Sequence, residues 1–306
     1  MPAGIINTGS HPKLLWPGVR AVWGQVYNEY TTEYTDLYEV LDSDKAYEEE
    51  VQVTPFGLAA VKTEGGTMTY DSEVQGPVQR YQHVAYSIGY IVTFEELRDN
   101  QYEYVAERRS KSNARSVQQT LETVGALLYN NSTSTTYFTF GDGLAMLSAS
   151  HTNTTGGTFS NLLSPGADLS ETALEDLTIQ IMGLQDDRGN FIRIMPESLH
   201  VPRQEWYNAN RILKSVLQSD TANNNINVLK ATNAIPKGIK LNHFFTDADA
   251  WFLRTDCPYG MQMFWRDKPM FDQDNDFDTK NAKAATYFRF SVGGTDPRGV
   301  AGSVGA

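Results

Sequence analysis

VQVTPFGLAAVKTEGGTMTYDSEVQGPV, residues 51–78, decides the fold. Val51 to Val61 and Thr67 to Val78 read as two strands around a Lys62-Thr63-Glu64-Gly65-Gly66 turn. The paired glycines suit a turn that needs a positive φ. Pro55 and Gly57 argue against a place inside a central sheet and for an exposed arm. Eleven extended residues reach about 36 Å at roughly 3.3 Å each. A two-stranded ribbon has no core of its own and is marginal in water. Such an arm needs a surface to lie on, and a second copy of the chain would supply one.

A long helix follows the ribbon. Val84 to Val92 reads as a buried strand with Tyr86, Ile88, Tyr90 and Val92 on one side. Thr93 and Glu96 then form a capping box, so a helix should begin there, with Asn100 as an interruption. Val117, Leu121, Val124 and Leu128 continue it at helical spacing. Its first part carries Arg108, Arg109, Lys111 and Arg115, either a solvated face or a contact for an acidic neighbour such as Glu48-Glu49-Glu50. A second region starts near Asp168, where Asp168 and Glu171 suggest another cap. Leu174, Leu177, Ile181 and Leu184 form its stripe, and Asp187-Arg188-Gly189-Asn190 reads as its stop. Gln204 to Leu217 reads as helix. Short strands are expected at Phe191 to Met195, Leu199 to Val201, Ile239 to Phe245, Trp251 to Arg254 and Met261 to Trp265, with a last one at Tyr287 to Val292. The interleaving is α+β, not the regular alternation of a nucleotide-binding sheet.

Composition narrows the function. The chain has 306 residues, 40% of them hydrophobic, enough for a sizeable core. Its net charge of −12 argues against a protein that grips nucleic acid through phosphate neutralisation. No run reaches the 18 or so apolar residues of a membrane helix. The N-terminus lacks a basic region followed by an apolar run, so the expected place of synthesis is the cytoplasm. The single cysteine, Cys257, excludes an intrachain disulfide. No P-loop, dinucleotide fingerprint, H-E-x-x-H helix or nucleophile elbow is present. Asp272, Asp274, Asp276 and Asp278 alternate like the start of a calcium loop, but Phe277 and Lys283 stand where that loop needs Gly and Glu. A turn-forming acidic loop is the expectation there. No catalytic residue, metal or cofactor is assigned.

Several strings, in order and spacing, resemble the major capsid proteins of tailed bacteriophages, which have the Hong Kong 97-type fold. They begin with Leu14-Leu15-Trp16-Pro17-Gly18 and with Phe56-Gly57-Leu58-Ala59 through Gly65-Gly66 to Tyr70-Asp71. They continue with His83-Val84-Ala85-Tyr86, Gly89-Tyr90-Ile91-Val92-Thr93, Gly141-Asp142-Gly143, His151 and Ser160-Asn161. Asp186-Asp187-Arg188-Gly189, Arg211-Ile212-Leu213-Lys214-Ser215, Asp249-Ala250-Trp251-Phe252 and Asp296-Pro297-Arg298-Gly299 complete the set. The resemblance implies an N-arm (1–30) and an extended E-loop (47–82). It implies a peripheral domain from 31–46, 83–165 and 271–292, with a spine helix from Thr93 to Tyr129. An axial domain (166–270) and a C-terminal tail (293–306) complete it. It further implies hexamers and pentamers closing into an icosahedral head around double-stranded DNA, held without sequence-specific binding. The protein would be made in the host cytoplasm, reside in the virion, and have no membrane partner. A separate scaffolding protein, a portal and a decoration or cement protein are the implied partners. An encapsulin-like compartment shell is the alternative. For assembly, Gly65 and Gly66 would shape the ribbon tip beside Lys62 and Glu64, and Trp16 and Trp23 would anchor the N-arm. Lys62 lacks the motif that surrounds a cross-linking lysine.

Overall fold

The computed structural model describes residues 16–98, 102–217, 225–276, 278–279 and 281–306. The N-terminal part runs α1 (Trp16–Glu29), α2 (Tyr34–Leu37), β1 (Glu39–Asp42), β2 (Tyr47–Val53), β3 (Gln75–Gln82), β4 (Val84–Val92), α3 (Phe94–Arg98) and α4 (Tyr102–Asn130). After β5 (His151–Thr152) and β6 (Thr158–Phe159) come α5 (Glu171–Met182), β7 (Pro196–Pro202), α6 (Trp206–Lys214) and α7 (Val228–Ala231). The chain then runs through β8 (Ile239–Asn242), β9 (Trp251–Thr255), β10 (Met261–Asn275), β11 (Ala282–Gly294) and β12 (Val300–Ser303).

Two four-stranded sheets organise it. The first has the order β1-β10-β11-β4, with β1 parallel to β10 and the remaining pairs antiparallel. Helices α1 and α4 cover one face. Val19, Trp23 and Val26 of α1 and Ala114, Val117 and Leu121 of α4 meet Trp265, Phe271, Phe288 and Phe290 of the sheet. The i, i+3, i+4 spacing on α4 puts those side chains in one stripe, which is why a helix of this length is stable here. The second sheet has the order β12-β9-β7-β8. Its core joins Leu174, Leu177 and Ile181 of α5 to Leu199, Val201, Trp251 and Leu253.

The Thr93 cap forms as expected, with the Glu96 amide donating to its hydroxyl at 3.4 Å. Asn100 lies outside the described residues. The cap of α5 is Ser170, whose extended backbone lets its hydroxyl accept from the Ala173 amide at 3.1 Å. Asp168 does not cap; it accepts from the Ala306 amide instead. Helix α5 stops at Gly183, and residues 186–190 form a separate turn beyond it. Phe191 to Met195 is not a strand apart from an isolated bridge at Phe191, and α6 is shorter than the 204–217 expected.

Three further differences concern strands. β4 is an edge strand: Tyr86 and Tyr90 pack on the core, but Val84, Ile88 and Ile91 are exposed. β10 runs on to Asn275, so Asp272 and Asp274 are strand residues, and the Asp276 amide donates to the Asn281 carbonyl at 2.9 Å just beyond it. Glu39–Asp42, which pairs with β10, and Val300–Ser303, which pairs with β9 and is fully buried, are strands that were not expected.

Candidate assembly surfaces

The ribbon is paired only at its root. β2 and β3 join from Tyr47↔Gln82 to Val53↔Gln75, and Thr54 closes the ladder through bonds with Val74. Beyond that, 54–74 is not strand, because a single chain offers that segment no second layer. At the far end the Gly66 amide donates to the Thr63 carbonyl at 3.0 Å, and Gly65 has φ +74°. That is the turn position that calls for glycine. Lys62 and Glu64, just before it in the chain, are exposed. Phe56, Leu58, Val61, Met68 and Tyr70 are all exposed along the same segment.

The root is fastened to the first sheet. Tyr81 is buried, packs edge-on against Phe264 and hydrogen-bonds Thr295 at 2.6 Å and Gln262 at 3.1 Å. Burial pushes its phenol well above the ordinary range. Thr295 also donates to Glu50, and its carbonyl accepts from Gln52. Glu50 is thus engaged within the chain, and Glu48 binds Ser43 and Lys45. The acidic triplet, named above as a contact for the basic residues of the long helix, has these partners within its own chain.

Further out, Arg188 reaches the ribbon. Its Nη1 lies 2.9 and 3.2 Å from the two Asp71 carboxylate oxygens, and its Nη2 donates to the Ser72 carbonyl. Asp71 also accepts from the Gly57 amide at 2.7 Å. The Gly57 and Ser72 amides, then Arg188, hold the Asp71 carboxyl below its ordinary range.

Where the two sheets adjoin, buried polar groups converge. Arg298 pairs with Asp187 at 3.1 Å and Asp296 at 3.3 Å, donates to Gln185 and Asn153, and lies over the Phe159 ring. Asn161 donates to the carbonyls of Met146, Pro297 and Val300. His151 contacts Asp142 at 2.7 Å between the rings of Phe140 and Phe159. Burial alone would raise the Asp142 carboxyl, but His151 and the Leu144 and Thr152 amides hold it below its usual range.

Trp23 is buried against its own chain. It stacks on Tyr27 and Phe271, and its indole donates to Asn113 of α4 at 2.9 Å. Trp16 opens α1, and its side chain lies outside the described residues. On α4, Arg109 pairs with Glu96 and Lys111 with Glu107, so these two cations are answered within the chain.

Sequence reasoning singled out Lys62, Glu64, Gly65 and Gly66, and they sit together at the ribbon end. It assigned no role to Asp71, Arg188 or Arg298. Their only signal was charge inside the quoted strings, and the pairs Asp71–Arg188 and Asp187–Arg298 each join residues more than 100 positions apart. Among the described residues no three acidic, His or Cys side chains gather to hold a metal ion, and Asp276 is paired to Lys283. Burial, then Asp296, pushes the Cys257 thiol far up, against the thiolate form. No described helix is long and apolar enough to cross a membrane.

The fold has solved counterparts. The capsid of Myoviridae phage XM1 aligns with a TM-score of 0.54 at 12% identity, over 90% of this chain and 93% of that one. The capsid of the cyanophage P-SCSP1u gives 0.54 at 9% identity, over 90% and 88%. A virus-like particle from Pyrococcus furiosus gives 0.53 at 10% identity, over 94% and 99%. At such identities the likeness speaks for fold alone, and that fold is the Hong Kong 97 type, α+β with a long helix. A search of curated proteins finds no match. The family model described as phage capsid protein matches residues 77–303, and the chain belongs to that family.

Proposed function

We propose that copies of this chain form hexamers and pentamers in which each ribbon lies across a neighbouring copy. The chain is a major capsid protein of a tailed phage, part of the icosahedral head of the virion and not an enzyme. The observation that carries the ribbon's role is its exposed apolar row, Phe56, Leu58, Val61, Met68 and Tyr70, on a segment without a core. A row of exposed apolar side chains marks an interaction surface. The ribbon (47–82) is then the E-loop. The first sheet with α4 falls chiefly in the peripheral domain (31–46, 83–165 and 271–292), although Met261–Met270 of β10 lie in the axial range, and the second sheet falls chiefly in the axial domain (166–270). Residues 1–30 act as the N-arm with Trp16 and Trp23 as its anchors, and 293–306 close the chain. A separate scaffolding protein, a portal and a decoration protein are the partners this role calls for. The net charge of −12 suits a wall that encloses double-stranded DNA without gripping it.

The likeness to the virus-like particle favours one second reading, a compartment shell around protein cargo. Nucleic acid inside purified particles selects the head, and protein cargo selects the compartment. Electron microscopy of the recombinant protein, co-expressed with its neighbouring genes, tests the assembly. Closed shells or rings of five and six are expected, and a monomer or dimer in every combination refutes it. Deleting Glu64 to Thr67 is expected to leave a folded subunit that forms no normal shell; normal particles would overturn the ribbon's role.

A further inference from the structure

We propose that Asp71 and Arg188 form a latch that sets the direction of the ribbon in the free subunit, so that it meets its neighbour already ordered. The inference rests on the ribbon reading above and adds the residues that position it.

Arg188 is held from a stiff base. Asp186 accepts the amides of Arg188 and Asn190, each at 2.8 Å, and Gly189 takes φ +81° to close the turn. The adjacent Asp187 is tied to the buried Arg298. A guanidinium on such a base points one way, and its planar set of donors divides here, Nη1 to both Asp71 oxygens and Nη2 to the Ser72 carbonyl. Asp71 then joins the two limbs, since the oxygen that binds Arg188 also accepts the Gly57 amide, 14 positions away in the chain. The latch clamps both limbs at one level. Gly57 sits close against the pair: a Cβ there would lie 3.3 Å from Asp71 Oδ2 and 3.5 Å from Arg188 Nη1. Among the described residues, Arg188 makes all the hydrogen bonds between 55–73 and the rest of the chain. The apolar side chains Leu58, Val61, Met68 and Tyr70 lie on the span between the clamped points.

An ion pair this exposed adds little to global stability. Its effect is on a segment that has no core to direct it. Ordering that segment beforehand removes part of the entropy cost of docking. The expected signature is faster assembly with no change in subunit stability.

The test compares wild type with Asp71→Asn, Arg188→Met, Arg188→Lys and, as a control of the docking surface, Leu58→Asp. Hydrogen exchange of residues 54–74 is read on unassembled protein, the initial assembly rate by light scattering, and folding by thermal unfolding. Asp71→Asn and Arg188→Met are expected to speed exchange and slow assembly about three- to fivefold, the range of an exposed ion pair. The unfolding temperature is expected to hold, and Arg188→Lys to recover part of both effects. If Arg188→Met fails to fold, Asp71→Asn carries the test. Unchanged exchange in the latch variants overturns the latch, whether or not assembly slows. Should Leu58→Asp also assemble normally, the ribbon reading falls, and the latch with it.

Discussion

Replacing Leu58 and Val61 together by Asp probes the ribbon surface most directly. Leu58 is 84% and Val61 96% exposed in the subunit, so neither supports its fold. If a neighbour covers them fully, their burial is worth about 2 kcal/mol for Leu and 1.5 kcal/mol for Val. At half coverage the sum falls to about 1.8 kcal/mol, and each 1.4 kcal/mol is about tenfold in an equilibrium constant. The double substitution is therefore expected to raise the concentration at which shells appear by roughly 20- to 400-fold. The charge of the new aspartates adds to this wherever they are desolvated. The assay is a dilution series scored by light scattering and electron microscopy, with urea unfolding of the unassembled subunit as control. A normal unfolding midpoint with a raised threshold agrees with the reasoning. Shells at the wild-type threshold from a normally folded variant refute it, because the apolar row would then lie in water in the assembled head.

Arg298→Met is expected to cost about 3–5 kcal/mol in urea unfolding, because it leaves Asp187 and Asp296 facing a void where their counter-charge stood; a loss under about 1 kcal/mol would show that the junction is not a structural tie. Glu122 supplies a pH dependence. Burial first, with Glu33 and Asp36 adding, raises its carboxyl to about 7, against the opposing pull of the Glu33 and Tyr34 amides. The folded state then keeps a proton that the unfolded chain releases, so this group stabilises below its ordinary range and the benefit is lost as pH rises through about 7. His83 and His200, both lowered chiefly by burial, act in the opposite sense below about 6.5. The measurement is therefore the difference between wild type and Glu122→Gln. Allowing for solvent screening, wild type is expected to gain about 1–2 kcal/mol on the variant between pH 8 and 5.5. A difference that stays flat with pH would refute the raised carboxyl.

The local chemistry of this chain was legible and its long-range chemistry was not. Thr93 with Glu96 announces a helix because a cap needs only three residues of chain. Gly65 announces a turn because positive φ is a property of one residue. The α5 stripe is read from spacing alone. By contrast, the β-prone residues of 54–74 looked like strand, yet a strand's preference is realised only against a second layer, which a single copy lacks. Val300–Ser303 was missed as a strand because its small side chains carry no alternation; it is placed by β9 and buried on both sides.

The same distinction separates the tip of the ribbon from its aim. Lys62 to Gly66 make the tip, and a turn is written in consecutive residues. The aim depends on Arg188, 117 positions from Asp71, and through Asp187 on Arg298, 111 positions further along. No spacing rule links three charges so far apart. What joins them is the adjoining of two separately cored sheets, which brings the 186–190 turn beside the ribbon. An arm whose tip is local and whose aim is global can change its contact residues by single substitutions while its direction stays with the body of the subunit. A shell draws on that division, since repeated interfaces close only when each copy offers its arm to the matching surface of a neighbour.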